Sequence, residues 1–223
     1  EQGFCKAQVV GSSPSVGLNF FFTMDFEVLP LFSFPVVIMD IDEDFSNLEN
    51  AIDDIEWYKS DREKVYVTPP NFLKKFPKES NIFLRYFCDY KDNVLHLDPI
   101  DFLISSSWMN KIEPGGDGHH HCHTNSIYSC IFYFDSYDGG DVCFYNPFPV
   151  SYELESDGTE HNIFNSHEWS ISPRKNRMII FPSQLYHKVE KNTSGKNRYS
   201  LAFNLFPYGQ FGGIDSFLNI QHV

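Results

Sequence analysis

The chain has 223 residues, 42% of them hydrophobic and 17% aromatic, which suits one folded domain with a sizeable core and excludes a disordered or fibrous chain. A formal charge of −13, with Lys and Arg clustered only in the short runs Lys74–Lys78 and Arg174–Arg177, argues against a phosphate-backbone partner, so no nucleic acid is expected. No apolar run reaches the length of a membrane helix, and five cysteines (Cys5, Cys88, Cys122, Cys130, Cys143) lack disulfide spacing, which predicts no membrane contact and a reducing, cytoplasmic setting.

Residues 1–23 lack the basic start and long apolar run of a signal peptide, and Met24 reads as a natural start, so 1–23 are expected to be a leader or an upstream extension. Phe26–Ile41, apolar and punctuated by proline, reads as one or two short edge strands. Ser46–Tyr58 follows a helical template, with Ser46 as N-cap, Glu49 three residues on, and Leu48, Ile52 and Ile55 on one stripe. Asn71–Phe76 reads as a short helical turn ended by Pro77, and Glu79–Leu95 as a second helix burying Ile82, Phe83, Tyr86, Phe87 and Tyr90.

After Pro99 the pattern becomes short strands between glycine and proline turns: Ile100–Ile112, Ile127–Phe134, Val142–Tyr145, Glu168–Ile171, Arg177–Phe181, Lys188–Glu190 and Arg198–Leu205. Such punctuation predicts a sandwich or jelly roll. The expected layout is a mainly β domain over 24–223: a strand and helical front end (24–98), a jelly-roll core (99–207) and a C-terminal tail (208–223).

The stretch Gly115–Ser126, GGDGHHHCHTNS, packs four histidines and a cysteine into five positions. Neutral imidazole is the commonest protein ligand for transition metals. If Gly118–Thr124 is extended, His119, His121 and His123 share one face, with His120 and Cys122 on the other. A solvated histidine-rich loop is the competing reading, and the stretch alone does not decide. Downstream, the apolar strand Met178–Phe181 ends in Pro182-Ser183, with His187 just beyond, and Arg198-Tyr199-Ser200 opens the last apolar strand. Singly, His187 reads as a loop or core histidine and Arg198 as a solvated strand end. In this order, on this strand pattern, they form a constellation.

These motifs resemble the 2-oxoglutarate/Fe(II)-dependent oxygenases of the double-stranded β-helix fold. The resemblance runs from Leu29 to Pro207 and rests on Trp108-Met109-Asn110, His121-Cys122-His123-Thr124-Asn125-Ser126, Ile131–Phe134, Gly139–Val142, Phe144–Pro147, Phe181–His187, and Arg198-Tyr199-Ser200 with Asn204. It implies a cupin-like jelly roll flanked by helices, using Fe(II) with 2-oxoglutarate as co-substrate. His121 matches the first metal-binding histidine and His187 the distal one. Arg198 matches the basic residue that pairs the distal carboxylate of 2-oxoglutarate, a role suited to the planar guanidinium fork. Ser200 would add a hydroxyl to that carboxylate, and Asn110 a polar co-substrate contact.

The chain departs from the family where most members carry Asp or Glu and it has His123. Either His123 ligates, giving a three-histidine site with His119 as its chief competitor, or iron is held by two histidines with water filling the gap. The implied reaction is oxidative decarboxylation of 2-oxoglutarate at iron, releasing succinate and carbon dioxide and hydroxylating a small-molecule or peptide substrate. The loops Asp135–Asp141 and Pro147–Asn165 are expected to rim the barrel mouth; the oligomeric state stays open, a homodimer included. Two other readings remain: a three-histidine cupin-like metalloenzyme that does not use 2-oxoglutarate, and a non-catalytic metal-binding jelly-roll module.

Overall fold

The computed structural model describes residues 33–148 and 160–221. The leader expected at 1–23, the proline-rich part of the first strand segment before Ser33, and most of the Pro147–Asn165 loop lie outside the described residues.

Helical and β periodicities alternate as residue chemistry dictates. Strand β1 (Val37–Asp40) leads to α1 (Ser46–Ala51), which tightens into a 3-10 turn at Ile52–Asp54. Ser46 does not cap this helix; its own backbone N–H is bonded to Asp44 Oδ1, and the cap position falls on Phe45 without a side-chain bond. Glu49 pairs instead with Lys175 at 2.8 Å. A small hairpin, β2 (Tyr58–Lys59) and β3 (Val65–Val67), follows where no strand was expected, because its strands are too short to show an alternation. The expected helical turn forms as a 3-10 helix at Phe72–Lys75 that stops before Pro77, and Pro77 then begins α2 (Pro77–Asn93), at the position where a missing N–H and a fixed φ cost nothing.

The remaining strands are β4 (Asp101–Ile112), β5 (Tyr128–Tyr133), β6 (Val142–Tyr145), β7 (Glu168–Ile171), β8 (Arg177–Pro182), β9 (His187–Val189), β10 (Arg198–Phe211) and β11 (Leu218–Ile220). They form a large antiparallel sheet in the order β1-β8-β5-β10-β4-β3-β2, with β11 added to the end of β10, and a small sheet β7-β6-β9. The expected tail therefore continues β10 and folds back as a strand. This is the double-stranded β-helix.

Two apolar clusters separate its layers. Phe45, Phe83, Phe87, Phe132, Met178, Leu201 and Phe203 fill the space between the helices and the outer face of the large sheet. Ile131, Tyr133, Val142, Phe144, Ile171, Ile179 and Phe181 fill the space between the two sheets. Alternation along β5 and β10 thus sends Phe132, Leu201 and Phe203 towards the helices. Ser129, Ile131, Tyr133, Arg198, Ser200 and Asn204 point into the barrel, where polar side chains are expensive unless they have work to do.

Candidate active site

Within the barrel, one ring nitrogen from each of His121, His123 and His187 lies within 4.8 Å of the other two. His187 opens β9, and His121 sits opposite it on an isolated antiparallel bridge, each residue bonding the other's backbone at 2.9 Å. Gly118 makes this approach feasible: a Cβ there would stand 2.9 Å from Val189.

Each imidazole is oriented from behind. His121 Nδ1–H donates to the His119 carbonyl at 2.9 Å, and His187 Nδ1–H to the Leu185 carbonyl at 3.0 Å. His123 Nδ1–H donates to Asn204 Oδ1 at 2.9 Å, with Ser129 Oγ at 2.7 Å. Carbonyl oxygens only accept, so these bonds place the proton on Nδ1 and leave the Nε2 lone pairs facing inward. His121 Nε2 and His123 Nε2 lie 3.2 Å apart. With both protons turned outward, that contact holds no hydrogen bond, and two lone pairs at this distance suit a shared cation. Burial keeps all three rings neutral: it lowers His121, holds His123 at about 4 and His187 at about 3.

The other candidates divide cleanly. His119 is exposed and lies flat on His121, ring centroids 4.0 Å apart, outside the three-nitrogen cluster. His120 faces the opposite side, stacked on Tyr186 at 4.9 Å and edge-on to Tyr145 at 4.5 Å.

Arg198 begins β10 and is fully buried. Its Nη1 reaches Ser200 Oγ at 3.3 Å, while Nε and Nη2 have no hydrogen-bond partner and no ion pair among the described residues. A buried guanidinium without a counter-charge is costly, and a carboxylate is its natural complement. Ser200 pairs with Asn110 on β4 and with Tyr133 on β5, so the three occupy one interior row beside the arginine. The Tyr133 ring lies 5.0 Å from the guanidinium, and its buried hydroxyl also lacks a partner. The cluster fits a dicarboxylate.

Gly140 completes it. With φ at +71°, it lets the arginine stem pass where a Cβ would stand 2.9 Å from Arg198 Cδ. The Asp135–Asp141 loop therefore lies at the Arg198 end of the barrel. The β6–β7 connection leaves the other end of β6, beside the row holding His187, so the two loops do not share one rim.

Residues 106–204 match the sequence model of the family described as "Putative 2OG-Fe(II) oxygenase". That match, which spans somewhat under half of the chain, and the solved structures of the same fold support the 2-oxoglutarate/Fe(II)-dependent oxygenase superfamily. As such an oxygenase it is an oxidoreductase of the dioxygenase class, with Fe(II) as its metal and 2-oxoglutarate as co-substrate.

Solved oxygenases of this fold are similar in shape and remote in sequence. An oxidoreductase of the 2OG-Fe(II) oxygenase family from Burkholderia pseudomallei superposes with a TM-score of 0.55 at 12% identity, over 76% of this chain and 83% of that one. HygX from Streptomyces hygroscopicus, with nickel, 2-oxoglutarate and hygromycin B bound, gives 0.56 at 8% identity, over 77% and 82%. A prolyl hydroxylase from Trichoplax adhaerens, in complex with a hypoxia inducible factor peptide fragment, gives 0.51 at 12% identity, over 77% and 83%. At such identities the likeness carries the fold alone. No curated protein is similar to the chain in sequence.

Sequence reasoning assigns no role to two residues beside the site. Tyr133 belongs to a strand pattern, and β5 alternation from Ser129 aims it inward. Asn204 belongs to the motif set, and its bond to His123 needs the pairing of β10 with β5.

Proposed function

We propose that His121, His123 and His187 hold the iron of this oxygenase as a three-histidine site. In the same reading Arg198 and Ser200 bind the distal carboxylate of 2-oxoglutarate, Asn110 and Tyr133 line its pocket, and the product is hydroxylated. The observation that carries this is Arg198, fully buried with two unpaired donors and facing the same interior as three neutral, pre-oriented imidazoles.

When bound, iron and 2-oxoglutarate supply the oxygen activation and the two electrons released with carbon dioxide and succinate. The chain's own residues do the rest. Asn204 and the carbonyls of His119 and Leu185 keep the protons on Nδ1, so each Nε2 is free to ligate without first losing a proton. Three neutral ligands leave the site one charge more positive than two histidines and a carboxylate, which favours the dianionic co-substrate over neutral competitors. Phe144 and Phe181 flank His187 at 5.9 and 4.8 Å and exclude water from that side.

The substrate in this reading is a small molecule or a peptide, the two kinds bound by HygX and by the Trichoplax hydroxylase. No helix among the described residues is long and apolar enough to cross a membrane. A cytoplasmic setting is part of the reading, supported by the free thiols Cys88, Cys122, Cys130 and Cys143. The cupin-like alternative gives Arg198 no task.

Succinate formation from 2-oxoglutarate under air, with Fe(II) present, tests the assignment. Arg198→Ala should lose turnover while iron affinity stays intact. Unchanged turnover in that variant would return the arginine to a structural role.

A further inference from the structure

The small sheet carries a row of residues that continues from the metal cluster to the surface. His121 faces His187 across the isolated bridge, His187 pairs with Phe144, and Phe144 pairs with Trp169 on β7. Residues directly opposite on antiparallel strands project to the same face. That face is the barrel interior, because Phe144 packs on Phe181 at 5.0 Å and Ile171, two residues beyond Trp169, is buried in the inter-sheet cluster.

Trp169 should therefore be buried, yet it is 45% exposed. Because β7 is the edge strand of the small sheet, this inward-facing indole is open to a ligand arriving from solvent. Two strand spacings put its backbone about 10 Å from that of His187.

The connection arriving at β7 strengthens the case. Asn146 N–H bonds the His167 carbonyl at 2.8 Å, fastening its end to β6. Within it, Asn162 Oδ1 accepts from Phe164 N–H at 2.8 Å, and Asn165 Nδ2 donates to the Glu160 carbonyl at 3.0 Å. This braced turn holds Ile163 and Phe164 in water, 59% and 63% exposed. Apolar side chains kept in solvent on the segment that leads into the strand of an exposed, inward-facing indole mark a binding surface.

We infer that Trp169 is a specificity-determining residue that receives an aromatic or other flat apolar group of the substrate, with Phe144 between it and the metal cluster. The inference names a substrate class for the site proposed above and rests on that proposal. A flat ring gains from stacking on indole beyond the area it buries, whereas a small polar metabolite gains nothing there.

Calorimetric binding of N-acetyl-L-tryptophanamide, with N-acetyl-L-lysinamide as contrast, tests it on the full chain. Wild type should bind the aromatic probe and not the lysine one. Trp169→Ala should weaken binding about tenfold, and Trp169→Phe should restore most of it. Adding the aromatic probe to the anaerobic Fe(II)–2-oxoglutarate protein should also shift its visible absorption. Equal binding of both probes, no aromatic binding, or Trp169→Ala behaving as wild type would overturn the inference. Absence of the absorption band itself would instead strike the metal and co-substrate assignment, and the calorimetry would still decide Trp169.

Discussion

His123 shows how much a single residue depends on what stands behind it. Asn204 and Ser129 hold its proton on Nδ1, which leaves Nε2 free for the ligand role proposed above. Asn204→Ala should therefore lower metal affinity about 10–100-fold with the fold intact, read by Fe(II) titration. Affinity equal to wild type would show that His123 is not a ligand or that Ser129 suffices. The three imidazoles, His187 buried and His121 and His123 half-buried, also predict an acid-sensitive apoprotein. Their folded-state values lie below 6.5, His123 at about 4 and His187 at about 3, so the unfolded chain binds more protons in that window. Stability without metal should thus rise with pH between about 4 and 6.5 and level off above it. Urea unfolding across that range measures it, and a flat profile would contradict the burial of these rings.

At the scale of elements, the glycine-rich turn before β6 matters as much as the strands. Gly139 and Gly140 both have positive φ, and a side chain at Gly140 would strike the stem of Arg198. Gly140→Ala should raise the concentration of 2-oxoglutarate needed for half-maximal turnover, by about tenfold or more, and leave Fe(II) affinity unchanged. Loss of both together would mean the turn supports the whole barrel instead. The sequence announced this turn and the strands around it, because Gly-Gly punctuation and β-branched alternation are local signals. Helix α2 was equally legible from the stripe of Ile82, Phe83, Phe87 and Tyr90, apart from its start, where Pro77 served as an opener. The hairpin β2–β3 and the return of β11 were not legible, since strands of two or three residues form only because a neighbouring edge accepts them.

For the whole molecule, two sheets and one helical layer bring together residues 121, 187 and 198, far apart along the chain. The density of histidines points to a metal, and the family resemblance supplies their register and the carboxylate role of Arg198. What the sequence withheld was non-local. The pairing of β10 with both β4 and β5 sets Asn110, Ser200 and Tyr133 in one row, and no periodicity within a strand reveals its neighbours. The same limit hid Trp169, whose inward direction follows only from its register against Phe144.

The most direct test of the account is anaerobic visible absorption of the protein titrated with Fe(II) and then 2-oxoglutarate. The account predicts a metal-to-ligand charge-transfer band that needs both additions, is lost in His187→Ala, and in Arg198→Ala demands far more 2-oxoglutarate. Tight Fe(II) binding with no band at saturating 2-oxoglutarate would contradict it.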